Sequence, residues 1–338
     1  MNVKAVKILI TGGSGFLGRH LIRILQTKGL HNLRSFSRSP CEDLTANGVE
    51  LFYGDLNQFS AVATAVQGCN VVFHVAAKAG IWGHYQSYYQ TNVIGTLNVL
   101  KACQQCGVQK LVYTSTPSVI FNGDNLSNVN ESMPYGRCRS CAYAATKRIA
   151  EQVVLEANRQ QGLRTVALRP HLMWGPGDNH LIPTLLKLAQ RGSLFQVGDG
   201  KNWVDLSYVE NIAEAHYLAM EALGQGIIEG KAYFLSQDDP VRLWEWINQL
   251  LIRLNVPYVH KRIPYKIAYL MGGIFEIFYK ILHITKQPPM TRFLAKELAK
   301  DHYFDISAAK MDLQYLPKIS NEEGLERLII WLKNQKMC

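Results

Sequence analysis

The sequence has no run approaching the roughly 20 uncharged apolar residues of a membrane span, so no spanning helix is expected. Its seven cysteines are odd in number and scattered, which excludes a small secreted disulfide scaffold. The ten histidines form no HExxH or similar cluster. No helix-turn-helix, zinc-finger or aromatic RNA-binding signature accompanies the basic charge, so no nucleic-acid partner is expected. Internal repeats and low-complexity segments are absent. A signal-peptide pattern is also missing: the apolar run Val6 to Ile10 is too short for one and leads at once into a glycine turn. The expectation is a cytoplasmic chain whose first strand begins near residue 6.

What is present is 338 residues with 48% hydrophobic content, enough for a sizeable core and about two domains at roughly 150 residues each. The net charge of +10 is uneven. Residues 1–150 hold 14 basic and six acidic side chains, and residues 257–300 hold eight and two. Such a balance suits an anionic ligand or a membrane surface.

Apolar strands are predicted at 6–11, 32–37, 50–53, 70–74, 109–115 and 164–169. Helical periodicity falls at 15–28, 58–67, 84–106 and 143–161. This alternation predicts an α/β fold with a doubly wound parallel sheet. After Pro170 the rhythm breaks at Trp174-Gly175-Pro176-Gly177-Asp178. Helices follow near 181–191, 207–223, 241–254, 264–283 and 291–299, with a strand near 231–236. The expected division is a dinucleotide-binding domain over 1–170, to which about 203–236 returns. A smaller, mostly helical substrate domain takes 171–202 and 237–338.

Thr11-Gly12-Gly13-Ser14-Gly15-Phe16-Leu17-Gly18 follows the first strand and opens a helix. In this context the glycines permit a tight turn, close approach of the backbone to a pyrophosphate at the helix N-terminus, and close helix packing. An acidic residue about 20 positions on would bind an adenosine 2′-hydroxyl. The sequence there is Phe36-Ser37-Arg38-Ser39, with no carboxylate. The planar fork of Arg38 suits a 2′-phosphate, so NADP(H) is expected ahead of NAD(H). Asp55, in Gly54-Asp55-Leu56, is placed to accept from the adenine amino group.

Tyr143 and Lys147 stand one helical turn apart, on one face. An ammonium about 4 Å from a phenol contributes up to ~4 kcal/mol, or ~3 pKa units, at an effective dielectric of about 20. That would bring the phenol from its ordinary value of about 10 to near neutrality, where it can exchange a proton with a hydroxyl or carbonyl. The fifth strand ends in the hydroxyls of Thr114, Ser115 and Thr116, at the sheet edge where open α/β sheets bind ligands.

This order of features resembles the extended short-chain dehydrogenase/reductases, in the 3β-hydroxysteroid dehydrogenase-like group. The segments TGGSGFLG, GDL, HVAAKAG, TNVIGTLNVL, VYTSTPSV, YAATK and LRPHLMWGPGD carry it from residue 6 to about 180. VDLSYVENIA and PPMTRF extend it over most of the chain. AKAGIWG, TSTPSV and WGPGD are similar in particular to the bacterial subgroup that reduces 2-alkyl-3-oxoalkanoates. The resemblance implies Tyr143 as general acid/base, tuned by Lys147. It selects Thr116, where the family more often has Ser, as the hydroxyl partner, and adds Asn92 on the preceding helix. It places Ala76, Ala77, Lys78 and Leu56 against the cofactor, and Pro170 and Met173 beside the nicotinamide. It implies no metal, and a homodimer through the helices near 84–106 and 143–161.

On a helical wheel Lys266, Gly273, Glu276, Lys280 and His283 share an arc of about 100°, and the rest of 264–284 is apolar. Three readings stand: core of the smaller domain, the wall of an apolar pocket, or a peripheral membrane contact. The pairs Cys103/Cys106 and Cys138/Cys141 have zinc-like spacing but are read as core filler. His74, at the end of the fourth strand, is read as structural. The expected function is reduction or oxidation of a hydrophobic 3-oxo or 3-hydroxy compound, a 2-alkyl-3-oxoalkanoate first and a steroid or sterol 3β-alcohol second. A nucleotide-sugar epimerase, using Arg169, Lys187, Arg191, Lys201 or Arg242 on a second diphosphate, and a non-catalytic NADP sensor stay open.

Overall fold

The computed structural model describes residues 6–136 and 141–335. The first half alternates strand and helix: β1 (Ile8–Thr11), α1 (Phe16–Thr27), β2 (Leu33–Ser37), α2 (Glu42–Ala46), β3 (Glu50–Tyr53), α3 (Phe59–Val66) and β4 (Val71–His74). One helical stretch follows, made of α4 (Tyr85–Tyr88), a π-helical turn (Tyr89–Ile94) and α5 (Gly95–Gln105). Then come β5 (Lys110–Thr114), β6 (Leu126–Val129), α6 (Ala142–Glu156) and β7 (Arg164–Pro170).

The second half holds β8 (Met173–Trp174), α7 (Leu181–Gln190), β9 (Gln196–Val197), β10 (Trp203–Val204), β11 (Ser207–Tyr208), α8 (Val209–Ala222) and β12 (Ala232–Leu235). It closes with β13 (Val241–Arg242), α9 (Leu243–Arg253), β14 (Arg262–Ile263), α10 (Tyr265–Ile281), α11 (Arg292–Glu297), β15 (His302–Phe304), α12 (Ser307–Asp312) and α13 (Asn321–Asn334).

The main sheet is parallel, with strand order β12-β7-β5-β4-β1-β2-β3. Side chains alternate across it, as a pleated strand requires. Ile8 and Ile10 of β1 join Leu21, Leu25, Ile212 and Ala219 under α1 and α8. Leu9 joins Val62, Val99 and Val154 under α3, α5 and α6. With helices on both faces the inner strands β1, β4 and β5 are almost wholly buried, which is why they read as apolar runs, while the edge strand β3 is half-exposed. The strand order reverses between β1 and β4, so the crevice above their carboxyl ends is where such a sheet accepts a ligand.

A separate core of Trp174, Leu186, Trp244, Trp246, Leu250 and Leu328 lies under α7, α9 and α13. A four-stranded sheet, β13-β10-β15-β6, joins distant parts of the chain.

Several elements differ from expectation. The helix expected from 207 begins at Val209, because Ser207 and Tyr208 pair in parallel with Met173 and Trp174. The helix expected over 84–106 starts from Tyr85 and is wound as a π turn around Asn92. Helices α12 and α13 went unpredicted, although Ser320 caps α13 by accepting from the Glu323 N–H.

Candidate active site

The site starts at the turn after β1. Gly12 has φ +72°, and a Cβ there would stand 2.9 Å from Ala76 Cα, so the turn is pressed against the segment after β4. A Cβ at Gly18 would meet the Gly12 carbonyl oxygen at 2.2 Å, so the helix can close on the turn only without a side chain. The Gly15 N–H donates to Gly12 O at 2.9 Å. Helix α1 has no side-chain cap at Gly15 and no acid in its first turn. Its N-terminal N–H groups therefore suit a pyrophosphate. Around the turn Thr11 and Leu17 are buried, Gly13 packs against Ser35, and Ser14 and Phe16 are partly exposed.

Buried His74 ties the crevice walls together. Thr96 Oγ1 donates to the Asn92 carbonyl at 2.6 Å, so its oxygen accepts from His74 Nε2–H at 2.9 Å. His74 Nδ1 then accepts from Thr11 Oγ1 at 2.8 Å, and Thr11 Oγ1 accepts from the Ala76 N–H at 3.2 Å. Burial, with Lys147 adding to it, holds His74 neutral by pushing its pKa down to about 3.

Asn92 works alongside. Its Oδ1 accepts from the Lys78 N–H at 2.7 Å, and its Nδ2 reaches Lys78 O and Thr146 Oγ1, each at 3.1 Å. It thus fastens the loop carrying Ala76, Ala77 and Lys78 to α6, the helix of Tyr143 and Lys147. The Lys78 ammonium itself lies at Ser87 Oγ, 2.9 Å away.

Of the three terminal hydroxyls of the fifth strand, Thr116 is the one that bears on the Tyr143 phenol, drawing its pKa down. Among the described residues the Ser115 hydroxyl is buried without a partner, while Thr116 Oγ1 donates to Ser118 Oγ at 3.2 Å and accepts from the Ser118 N–H at 3.3 Å. The expectation of a phenol acidified by the neighbouring ammonium is not met. Burial pushes the Tyr143 phenol up to about 12, against a smaller opposing pull from Thr116. Lys147 donates to Thr114 O at 2.6 Å and lies 4.1 Å from the centre of the Tyr113 ring. Burial lowers its pKa to about 7, with Glu151 acting the other way. The shared face of α6 is there, but the desolvation that raises the phenol belongs to the fold and not to the spacing.

At the end of β7, Pro170 pairs with Leu235. Leu172, between it and Met173, has φ +40°, a strained conformation for a bulky residue. Arg38 is exposed just past β2. Asp55 accepts from the Asn57 N–H at 2.9 Å, and the Leu56 carbonyl accepts from Asn98 at 2.8 Å.

The 3-beta hydroxysteroid dehydrogenase/isomerase family matches residues 9–264. The 2-alkyl-3-oxoalkanoate reductase of Stenotrophomonas maltophilia (strain K279a) is 48% identical over 96% of this chain and 98% of that protein. The decarboxylating sterol-4-alpha-carboxylate 3-dehydrogenase of Mus musculus is 34% identical over 96% of this chain and 91% of its own. This chain belongs to the 3-beta hydroxysteroid dehydrogenase/isomerase family. It is an oxidoreductase of that family. Among solved structures, MoeE5 in complex with UDP-glucose and NAD shares the fold, with a TM-score of 0.76 at 22% identity over 98% of this chain and 99% of that one.

Two placements go beyond what the family segments predict. Arg169, one candidate for a second diphosphate, is locked in a buried pair with Glu151: Nη2–Oε1 is 2.5 Å and Nε–Oε2 is 3.0 Å. A second diphosphate finds no free guanidinium there. His171, next to Pro170, donates through Nε2 to His302 Nδ1 at 2.6 Å, and His302 Nε2 donates to Glu297 O at 2.7 Å. The Glu297 carboxylate lies 3.9 Å from that same Nε2. Glu297 and His171 face opposite nitrogens of His302, and one ligand atom from each of the three residues lies within 4.8 Å of the others, a spacing that could hold a metal ion. No sequence spacing announced it.

A cavity of about 800 Å³ is lined by Trp82, Tyr85, Ala142, Ala145, Arg148, Lys280 and His283. At 100° per residue these α6 positions lie across the helix from Tyr143 and Lys147, so the cavity is not the glycine-turn crevice. Cys103 is a buried thiol whose pKa burial raises further, as core filler requires. Cys138 of the second zinc-like pair lies outside the described residues.

Proposed function

We propose that the protein uses NADPH to reduce the ketone of a 2-alkyl-3-oxoalkanoate, in a reversible reaction with the 3-hydroxy acid. The observation that carries the reading is the meeting of α6 with the end of β5, where Lys147 donates to Thr114 O at 2.6 Å and Thr116 bears on the Tyr143 phenol. The reductase similarity names the substrate. A bound nicotinamide dinucleotide supplies the hydride. Residues 11–18 hold its pyrophosphate, Arg38 its 2′-phosphate, and Asp55, Leu56 and the 76–78 loop its adenosine side, while Pro170 and Met173 border the nicotinamide. Tyr143 gives its proton to the ketone oxygen, and Thr116 donates a hydrogen bond to the same oxygen. Lys147 anchors a ribose hydroxyl. Asn92 positions α6.

In this reading residues 1–170 and 203–236 bind the cofactor. Residues 171–202 and 237–338 close over the substrate. Two copies pair through 84–106 and 143–161, where Tyr85 and Leu97 are exposed. The protein works in the cytoplasm; no helix among the described residues is long and apolar enough to cross a membrane.

The test is NADPH oxidation against a panel of 2-alkyl-3-oxo acids, 3-ketosteroids and UDP-sugars, with wild type and Tyr143→Phe. The expected result is activity on the 3-oxo acids, lowered about 100-fold or more in kcat by the substitution, with cofactor affinity kept. Near-wild-type turnover by Tyr143→Phe would sink the mechanism. Turnover of UDP-sugars alone would sink the substrate.

A further inference from the structure

We infer that α10 lies flat on an anionic lipid bilayer and is the membrane-docking face of this protein. Ile267, Leu270, Ile274, Ile277, Phe278 and Ile281 are each more than half exposed. At 100° per residue they fall within an arc of about 100°, a continuous apolar stripe along the helix. The opposite side, Ala268, Gly272 and Glu276, is the buried one.

That orientation is keyed in place. A Cβ at Gly272 would stand 2.6 Å from the Thr291 backbone. Glu276 accepts from the Arg292 N–H at 2.7 Å and from Arg292 Nε at 2.8 Å. The helix cannot roll to bury its stripe without breaking both arrangements. The stripe is therefore neither core nor, along most of its length, a pocket wall.

Charge selects the occupant. Lys266 and Lys280 fall on one flank of the stripe, and Lys261, Arg262 and Lys286 extend the basic surface. Lys266, Lys280 and Lys286 enter no ion pair among the described residues. The two acids of 257–300 offer no exposed counter-charge: Glu276 is buried against Arg292, and Glu297 lies mostly buried beside His302. A convex apolar helix with an uncompensated basic flank matches a flat surface of anionic headgroups over an acyl layer. A second copy meeting it through the same stripe would bring like-charged Lys266 and Lys280 flanks together and supply no counter-charge from 257–300.

This inference does not depend on the proposed reduction, and it is tested by binding alone. The full chain is sedimented with vesicles of phosphatidylcholine, and of phosphatidylcholine with about a third phosphatidylglycerol, at low and high salt. Wild type is expected to bind the anionic vesicles, with about tenfold weaker partitioning to neutral ones and at high salt. Leu270→Ser/Ile274→Ser/Ile277→Ser is expected to lose binding and keep its melting temperature, because all three side chains face outward. Lys266→Glu/Lys280→Glu is expected to lose the preference for anionic lipid. Failure of wild type to sediment with either vesicle overturns the inference. So does binding unaffected by the serine variant, equal binding to both vesicles, or a self-association that the serine variant abolishes while vesicles capture nothing.

Discussion

At the scale of single residues, cofactor choice turns on Arg38. It is exposed immediately after Ser37, the last residue of β2, and no side chain among the described residues engages its guanidinium. A free planar fork at this strand end can take a 2′-phosphate with two charge-assisted hydrogen bonds. Such bonds contribute about 1.5–3 kcal/mol each, so even one implies roughly a tenfold or greater effect on affinity. Arg38→Ala is expected to weaken NADPH binding about tenfold or more and leave NADH binding nearly unchanged, as read by fluorescence titration of both. Equal losses for the two cofactors would remove Arg38 from the discrimination. Arg19, the nearest alternative cation on α1, is already engaged by the Asp43 carboxylate at 2.6 Å and the Ser14 carbonyl at 3.0 Å.

At the scale of elements, the strand-turn-helix around the glycines and the helix of Tyr143 and Lys147 could be read directly, because their residue spacing is local. The short strands β10, β13 and β15 could not. Each is two or three residues long and gains its partners from over 30 residues away, so no periodicity marks it. The tyrosine's rise to about 12 was hidden for the same reason, since burial is decided by packing.

The Glu151–Arg169 pair is another feature of this kind, joining α6 to β7 with both side chains almost fully buried. Tyr135 donates to Glu151 Oε1 at 2.8 Å, and the Arg169 guanidinium lies 5.0 Å from the Phe234 ring centre. Removing one partner strands a buried charge, at a loss of about 3–5 kcal/mol, whereas replacing both with apolar groups is often near neutral. Glu151→Ala is therefore expected to lower unfolding free energy by about 3 kcal/mol or more, and Glu151→Leu/Arg169→Met by much less, in urea titrations. A double variant as unstable as the sum of its singles would show that the two charges are not coupled.

At the scale of the whole molecule, three buried histidines stitch seams between distant elements. His74 joins β1, β4 and α5; His171 joins β7 to β15; His216 joins α8 to β5. In the last, His216 Nδ1–H donates to Ile212 O at 2.7 Å, so Nε2 accepts from Thr114 Oγ1 at 2.8 Å. Thr114 is also the residue whose carbonyl holds Lys147, so this seam runs beneath the active site.

Burial lowers the pKa of all three, to about 3 for His74, to about 4 for His216 and well below the ordinary value for His171. A histidine kept neutral in the fold contributes stability that is present above its unfolded pKa of about 6.5 and is lost as pH falls toward the folded value. Asp205, raised to about 7 by burial, acts in the opposite sense, because the folded chain holds a proton there that the unfolded chain releases. Whole-protein stability therefore mixes both signs, and a single-site comparison isolates one. His216→Gln is expected to destabilise most above pH 7. Its deficit against wild type should shrink by about 1.4 kcal/mol per pH unit as pH falls from 6.5 toward 4. Denaturant unfolding of both proteins across that range measures the difference. A deficit that stays constant with pH would mean that His216 does not enter the fold as a neutral acceptor for Thr114.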